Sequence, residues 1–463
     1  MTLKTKITMN PPAKMKTTLT KIFKERAFFE PEDLICYSRD AVPCLEGMPE
    51  AVVQPRNRRE LKELITSAQK EGWNLIPRGR GTGTFGGAVP VDGGIVVDFA
   101  RMNRIEEINV DRHYVRVQPG CCVQTIDFEL AKNGLKLPVI PWSSPGASIG
   151  GFVATNGVGL GSYTYGRIKQ QVLDLTVITG RGDELSLGSV TEYTPGYNLC
   201  ELFVGSEGTL GFITSILLTC INQKKHTVVS GFFKSFKDTL SCVRDIAQTD
   251  VKPYTMIYDD ATTFNFVREV TLGNPQATIE KDKRDTGGYL LLAFESFGDE
   301  EKNTLSAIFS QYSARLNVGG MSEGLWNNLS SFLPKVYRVG LISFEDTFVP
   351  VDSVYDVAVQ CWEKADELSV RMFMGGYVAS RRTLVLFPGM VVNERDFEEV
   401  ENVKKAKDEI IKITLRHGGG ISALGSDKVN YMGEYPERAQ IMQQIKEVFD
   451  PYHVMNRGKL GLR

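Results

Sequence analysis

After Asn57 the hydrophobic positions settle into a helical rhythm, with Leu61, Leu64, Ile65 and Ala68 on one face. Asn57 stands where a capping side chain is wanted, Glu60 can reach back toward it, and Gly72 can close the helix. Residues 74–77 predict a short strand that runs into a glycine-rich loop. Residues 95–99 are β-branched and apolar, a buried strand, and residues 114–118 alternate as a half-exposed strand does. A helix over 122–132 ends at Gly134, and Val172–Thr179 reads as a strand turned by Arg181-Gly182-Asp183. Short strands and helices alternate in this way to about Cys220. From about Thr227 the rhythm changes: strands over 228–233, 289–294, 371–376 and 383–387 mix with helices over 236–248 and 354–369, and glycine clusters thin out. A long helix over 401–416 ends at Gly418-Gly419-Gly420, and a last one, Pro436–Phe449, has Pro436 at its start and Pro451 beyond its end. No repeat and no low-complexity segment interrupts the pattern.

Composition changes this picture little. The 463 residues, 42% hydrophobic and 24% charged, suffice for two or three domains with a buried core. A net charge of −2 gives no general attraction to nucleic acid or membranes, and no apolar run is long enough to span a bilayer. None of the eight cysteines forms a CxxC pair, so an iron–sulfur cluster or zinc knuckle is not expected in this chain. Scattered cysteines fit a reducing cytosol, so a cytoplasmic location is expected, free or peripheral to the membrane through a partner. The four histidines, His113, His226, His417 and His453, are far apart in sequence. Residues 1–26 form a basic N-terminal extension with six lysines, read as a solvated tail, the sharper alternative being a weak dock to an acidic partner or membrane surface.

Three glycine-rich loops carry the first chemistry. One is Pro77-Arg78-Gly79-Arg80-Gly81-Thr82-Gly83-Thr84-Phe85-Gly86-Gly87. Closely spaced glycines let successive N–H groups share one concavity that suits phosphate oxygens, and two arginines add charge. Gly81, Gly83 and Gly86 match GxGxxG, but a Rossmann turn must open a helix and this loop runs toward a strand. The second spans residues 141–159, Pro141 to Gly159, and the third is Gly205-Ser206-Glu207-Gly208-Thr209-Leu210-Gly211-Phe212-Ile213-Thr214. Tight-turn packing would explain any one of them, and explains three in order much less well.

With these motifs, PRGxGTGxxGGxVP, SIGGxVATNxxG followed by Tyr165-Gly166, and GSEGTLGxIT, residues 37–220 resemble the FAD-binding domain of the vanillyl-alcohol-oxidase-like (PCMH-type) flavoproteins. The ending Asp450-Pro451-Tyr452-His453-Val454-Met455-Asn456-Arg457-Gly458-Lys459 resembles that family's DPxxxxNPGK tail, with Arg457 in place of proline. The resemblance implies an α+β fold: a two-subdomain PCMH-type FAD-binding domain over 27–222, an α+β cap over 223–412, and a segment over 413–463 that returns to the flavin site. It implies that Arg78, Gly79, Arg80, Gly81, Thr82, Gly83 and Thr84 take the FAD pyrophosphate. Pro141, Ser144, Ser148, Gly150, Gly151, Ala154, Thr155, Gly157 and Gly159, with Tyr165 after them, would line the pyrophosphate and ribityl chain. Gly208, Gly211 and Ile213 would run beside the flavin, and Asn456 would complete the site. Relatives with covalent FAD have histidine where this chain has Thr82, so the FAD is expected to be non-covalent.

The second region resembles the cap of that family's D-lactate and glycolate dehydrogenase branch, best at Ile342-Ser343-Phe344-Glu345-Asp346-Thr347-Phe348-Val349-Pro350, close to EDVxVP. Trp326 also fits, but the arginine expected three residues later is Leu329. The branch's HxGDGNxH falls on residues 377–384, giving Tyr377 and Leu384 for the two histidines, and its GEHG falls on the run that holds Ala423-Leu424. A metal needs several converging ligands, so no metal site is expected, and the branch's histidine base is missing as well. Tyr377 is left as acid/base or hydrogen-bond donor, and Arg381 and Arg382 as clamps for an anionic substrate, against a reading of cap packing and solvated surface. Lys335 and Arg338 are weaker candidates, and His417 suits a helix C-terminus better than a base.

Three functions remain open. The first is an FAD-dependent dehydrogenase that passes a hydride from a small hydroxy acid of the D-lactate or glycolate type to flavin N5. The second is an FAD oxidoreductase for a phenolic or phosphorylated substrate. The third is a flavin electron-relay subunit of a larger complex. In each, electrons leave to a separate acceptor: an iron–sulfur protein, an electron-transfer flavoprotein, a quinone or oxygen.

Overall fold

The computed structural model describes residues 11–43, 45–191, 195–271, 274, 279, 284–329 and 341–462. Helix Arg58–Glu71 buries Leu61, Leu64, Ile65 and Ala68, Asn57 accepts the Glu60 N–H at 3.0 Å, and Gly72 closes the end. Glu60 reaches back to Arg56 rather than Asn57, accepting its N–H at 2.8 Å, and binds Arg26 through two hydrogen bonds of 2.8 Å. This helix is the crossover that two parallel strands require. Ala51–Val53 before it and Leu75–Arg78 after it both pair in parallel with Ile95–Asp98, and Ala27–Phe28 adds an antiparallel edge. A second, antiparallel sheet runs Ile105–Asn109, Tyr114–Val117, Gly211–Thr219, Val172–Thr179, Glu184–Ser186. Ile178 and Phe212 of that sheet join the core of the first, so the two subdomains share packing.

Residues 13–23 correct the solvated-tail reading. Helix Ala13–Phe23 buries Met15, Leu19 and Phe23 in the same core as Leu61 and Leu64. The lysines take the outer face, with Lys14 paired to Glu71 at 2.7 Å. Residues 1–10 lie outside the described residues.

The cap is built on an antiparallel sheet of nine strands among the described residues. Its centre is the hairpin Arg371–Ser380 and Thr383–Val392, in which each strand runs four or five residues beyond its expected end. Helices Phe236–Ala247, Val354–Glu367 and Phe397–Arg416 pack on one face. The last of these begins one turn earlier than expected, because Asp396 accepts the N–H groups of Glu398 and Glu399. Strand Thr255–Asp260 and helices Ala261–Thr271 and Asp299–Gln311 fall outside the elements read from the pattern. The period of two sorts the hairpin's side chains. Met372, Met374, Val378, Leu384 and Leu386 meet the helices, while Tyr377 and Val385 meet Trp142, Val158 and Leu160 of the flavin domain. Tyr377 is paired across the hairpin with Val385, so Leu384 points away from the flavin domain. No helix among the described residues is long and apolar enough to cross a membrane.

Candidate active site

A cavity of about 300 Å³ lies where the three glycine loops meet the sheet face that carries Tyr377. The first loop leaves strand Leu75–Arg78, and buried Arg78 pins it by donating to the Arg39 carbonyl at 2.8 Å. The second turns into helix Ile149–Ala154, whose N-cap is Ser148, and the third leads into strand Gly211–Thr219. The loops touch closely. A Cβ on Gly79 would fall 2.0 Å from Ser148 Oγ, and one on Gly208 would fall 2.3 Å from Pro77 Cγ. Among the described residues, the backbone N–H groups of residues 80–85 donate to no other protein group. A concave loop with free N–H donors and two arginines fits a pyrophosphate.

Most of the expected cofactor residues line this cavity: Arg78, Gly79, Arg80, Gly81, Thr82, Gly83, Thr84, Pro141, Ser148, Gly150, Gly151, Ala154, Thr155, Gly157, Gly208, Gly211 and Ile213. Four do not. Ser144 is buried behind the second loop, where its carbonyl accepts the Gln124 N–H at 3.2 Å. Gly159 packs so tightly on Ile140 that a Cβ would lie 2.2 Å from its carbonyl oxygen. The Tyr165 hydroxyl donates to Glu295 at 2.5 Å, and that carboxylate also pairs with Lys136 at 2.9 Å. Asn456 is a strut: its side-chain amide donates to the Glu207 carbonyl at 2.6 Å and the Gly87 carbonyl at 3.4 Å, tying the first loop to the third.

The rest of the returning tail does the same work. Lys446 is fully buried and donates to Asp450 (2.7 Å), the Thr209 carbonyl (2.9 Å) and the Met455 carbonyl (2.9 Å). Lys459, equally buried, donates to the carbonyls of Gly86 (2.9 Å) and Val89 (2.7 Å) and contacts Ser426. Burial lowers its pKa to about 8, with Asp40 and Glu207 opposing the shift. Glu207 accepts the N–H groups of Leu424 (3.1 Å) and Gly425 (2.9 Å), so the run aligned with GEHG anchors the third loop through its backbone.

The cap supplies the opposite wall: Phe344, Asp346, Phe348, Tyr377 and Phe387, with Trp142 from the second loop. Trp142 and Tyr377 lie with ring centroids 5.9 Å apart. Glu345 and Asp346 sit between strands Leu341–Phe344 and Thr347–Pro350 and meet different fates. Glu345 is fully buried and ion-paired with Lys407 at 3.2 Å and with Lys428. Asp346 opens on the cavity, and its Oδ1 is buried without a hydrogen-bond partner. Burial pushes its pKa up to about 7, Lys428 opposing and Glu345 adding. Tyr377 is pushed well above the ordinary phenol range by burial first and then by Asp346, with Arg167 opposing. Arg167 stacks on Phe348, 4.2 Å from the ring centroid, and makes no ion pair among the described residues.

Arg381 and Arg382 are corrected as substrate clamps. The longer strands carry them to the exposed hairpin turn, away from the cavity, where Arg381 pairs with Asp250 at 3.5 Å. Lys335 and Arg338 lie outside the described residues. His417 takes the C-cap position of helix Phe397–Arg416 and meets Gln360 at 2.8 Å. The residues missed by sequence reasoning, Trp142, Asp346 and Phe348, come from two separate stretches of chain that only the tertiary fold brings together, and Arg167 stacks on Phe348 from outside the cavity lining.

Three phosphate-type loops roofed by an antiparallel cap sheet define a flavin-dependent oxidoreductase. Residues 49–188 match the FAD binding domain family, and residues 222–460 match the C-terminal domain of FAD linked oxidases. The chain belongs to the FAD linked oxidases, and FAD is its cofactor. The glycolate oxidase subunit of Bacillus subtilis (strain 168) is 28% identical over 445 residues, covering 92% of this chain and 92% of that protein. A D-lactate dehydrogenase of Archaeoglobus fulgidus is 28% identical over 459 residues, covering 93% and 96%. The crystal structure of p-cresol methylhydroxylase with substrate bound matches with a TM-score of 0.82 over 97% of this chain and 96% of that one, at 14% identity, a likeness of fold.

Proposed function

We propose that this protein oxidises a 2-hydroxy acid of the D-lactate or glycolate type, with Asp346 receiving the hydroxyl proton. The observation that carries the reading is the buried, unpartnered Oδ1 of Asp346 on the cavity wall beside Tyr377. A general base works best with a pKa near the operating pH, and about 7 meets that condition. Tyr377, held protonated, donates a hydrogen bond to the substrate rather than acting as a base. Arg167, stacked on the cavity-wall ring of Phe348 and electrostatically coupled to Tyr377, takes the place of Arg381 and Arg382 as the cation for the substrate carboxylate, since guanidinium binds carboxylate bidentately. Bound FAD supplies the hydride acceptor. The three loops hold it without a covalent bond, Thr82 standing where the covalent relatives have histidine. The electrons pass to a separate acceptor: an iron–sulfur protein, an electron-transfer flavoprotein, a quinone or oxygen. The two relatives at 28% identity, a glycolate oxidase subunit and a D-lactate dehydrogenase, support this class of substrate.

The test is the visible spectrum of the anaerobic holoprotein with D-lactate, glycolate and larger D-2-hydroxy acids. Bleaching by at least one is expected. Its rate should rise with pH through about 7 as the Asp346 carboxylate forms, and Asp346→Asn should lose that rise and fall roughly 100-fold or more. A flavin that dithionite reduces but no 2-hydroxy acid does would refute the reading and favour the relay subunit.

A further inference from the structure

A second cavity, of about 100 Å³, adjoins the first on the same face of the cap sheet. Trp142, Tyr377 and Phe387 line both, so three aromatic rings form the partition. Ile257, Phe264, Leu291, Leu325, Leu329 and Phe373 are among the rest of its wall. Among the described residues no cation lines it. Leu329 puts an apolar side chain on this wall. One ionisable acid, Asp259, lies in the wall. Asp259 can share a hydrogen bond, but a second carboxylate would find no ion-pair partner among the described residues of the wall. A space of this kind stays dry and takes apolar groups: a cavity of ~150 Å³ lined by aliphatic and aromatic side chains binds benzene.

We propose that the second cavity receives the substrate's side chain, and that the substrate is a 2-hydroxy acid bearing a branched aliphatic or aryl group rather than a second carboxylate. The inference rests on the hydroxy-acid reading above and deepens it. The reacting carbon stays in the first cavity between the flavin loops and Asp346, and the side chain passes Trp142 and Tyr377 into the second. Each buried methylene is worth roughly 4-fold in binding, so replacing a methyl by an isobutyl group, three carbons larger, should gain on the order of 50-fold.

The experiment has a binding arm and a turnover arm, both on the FAD-loaded enzyme. Binding is read from the shift of the flavin spectrum on titration with pyruvate, 4-methyl-2-oxopentanoate, phenylpyruvate and 2-oxoglutarate. Turnover is read as anaerobic bleaching by the matching D-2-hydroxy acids. The expected result is 4-methyl-2-oxopentanoate and phenylpyruvate binding at least 10-fold more tightly than pyruvate, with 2-oxoglutarate weakest, and the same order in kcat/KM. Leu329→Arg should erase that preference, as should Leu291→Phe if the first variant loses FAD. Equal affinity for pyruvate and the larger apolar acids, or preference for 2-oxoglutarate, would overturn the proposal whatever the turnover. Tight apolar binding without any bleaching would keep the pocket and reject the hydroxy-acid reaction.

Discussion

Replacing Gly208 by alanine tests whether contact between loops sets the cofactor cradle. Gly208 sits at φ 73, a conformation that costs an L-residue about 1–2 kcal/mol. Its new Cβ would also lie 2.3 Å from Pro77 Cγ and 3.3 Å from Cδ, in a ring held between strand and loop. Relief of such overpacking costs about 1–3 kcal/mol. The sum is about 2–5 kcal/mol. Gly134→Ala is the control, because Gly134 has φ 70 with nothing within 4 Å of its Cβ and does not line the cavity. It carries the backbone cost alone, so the difference between the variants isolates the collision. Pro77 opens the first loop and Gly208 belongs to the third, so the collision spreads the cradle. Where ~1.4 kcal/mol of it falls on the bound state, the FAD Kd rises tenfold. Apoprotein is titrated with FAD by fluorescence quenching and melted with and without cofactor. Gly134→Ala should melt lower but bind FAD as the parent does, and Gly208→Ala should melt lower still and bind FAD at least tenfold more weakly. Equal FAD affinity in the two variants would refute the idea that loop contact shapes the site.

Three further outcomes follow from the packing. Phe23→Ala should destabilise the protein by about 3–5 kcal/mol in urea unfolding, because Phe23 is fully buried, and an unchanged midpoint would restore the solvated-tail reading. Lys446→Met should cost about 3–5 kcal/mol and lower FAD retention, since it leaves Asp450 buried without its cation, and a variant that keeps the parent's melting point and flavin content would count against the clamp. Burial first and Asp260 second raise the Asp259 pKa from 3.8 to about 8, so the folded state keeps a proton that the unfolded chain releases between those values. Stability should therefore fall as pH rises through that window, by up to ~1.4 kcal/mol per pH unit for one group, and Asp259→Asn should flatten the slope in urea titrations at pH 5, 7 and 9.

The cofactor side of the molecule was legible because its signals are local. Glycines at 79, 81 and 208 answer to contacts within or between the loops, and 17 of the cofactor residues named from the loop motifs line the cavity. The misses there are residues whose role is to hold loops together: Asn456 carries a family motif, and nothing local distinguishes a strut from a ligand. At the N-terminus a signal was present and outweighed. Met15, Leu19 and Phe23 recur every fourth residue, the spacing of one helical face, but the lysines between them set the average. Arg381 and Arg382 were misread because the strands were ended too early. Continued to Ser380, the same alternation carries the pair into the turn.

The substrate side was less legible, and Glu345 with Asp346 shows the physical reason. Two adjacent acids in one motif are equal candidates for chemistry until their surroundings are known. The chain direction between strands Leu341–Phe344 and Thr347–Pro350 sends Glu345 toward Lys407 and Lys428, from helix Phe397–Arg416 and the returning tail. Asp346, one residue on, has no such partner and faces the cavity that Tyr377 and the flavin loops enclose. Of the Glu345–Lys428 ion pair, Lys428 opposes the rise in the Asp346 pKa and Glu345 adds to it. On the proposed reading, Asp346, the acid beside a buried ion pair, is therefore the group that takes the proton.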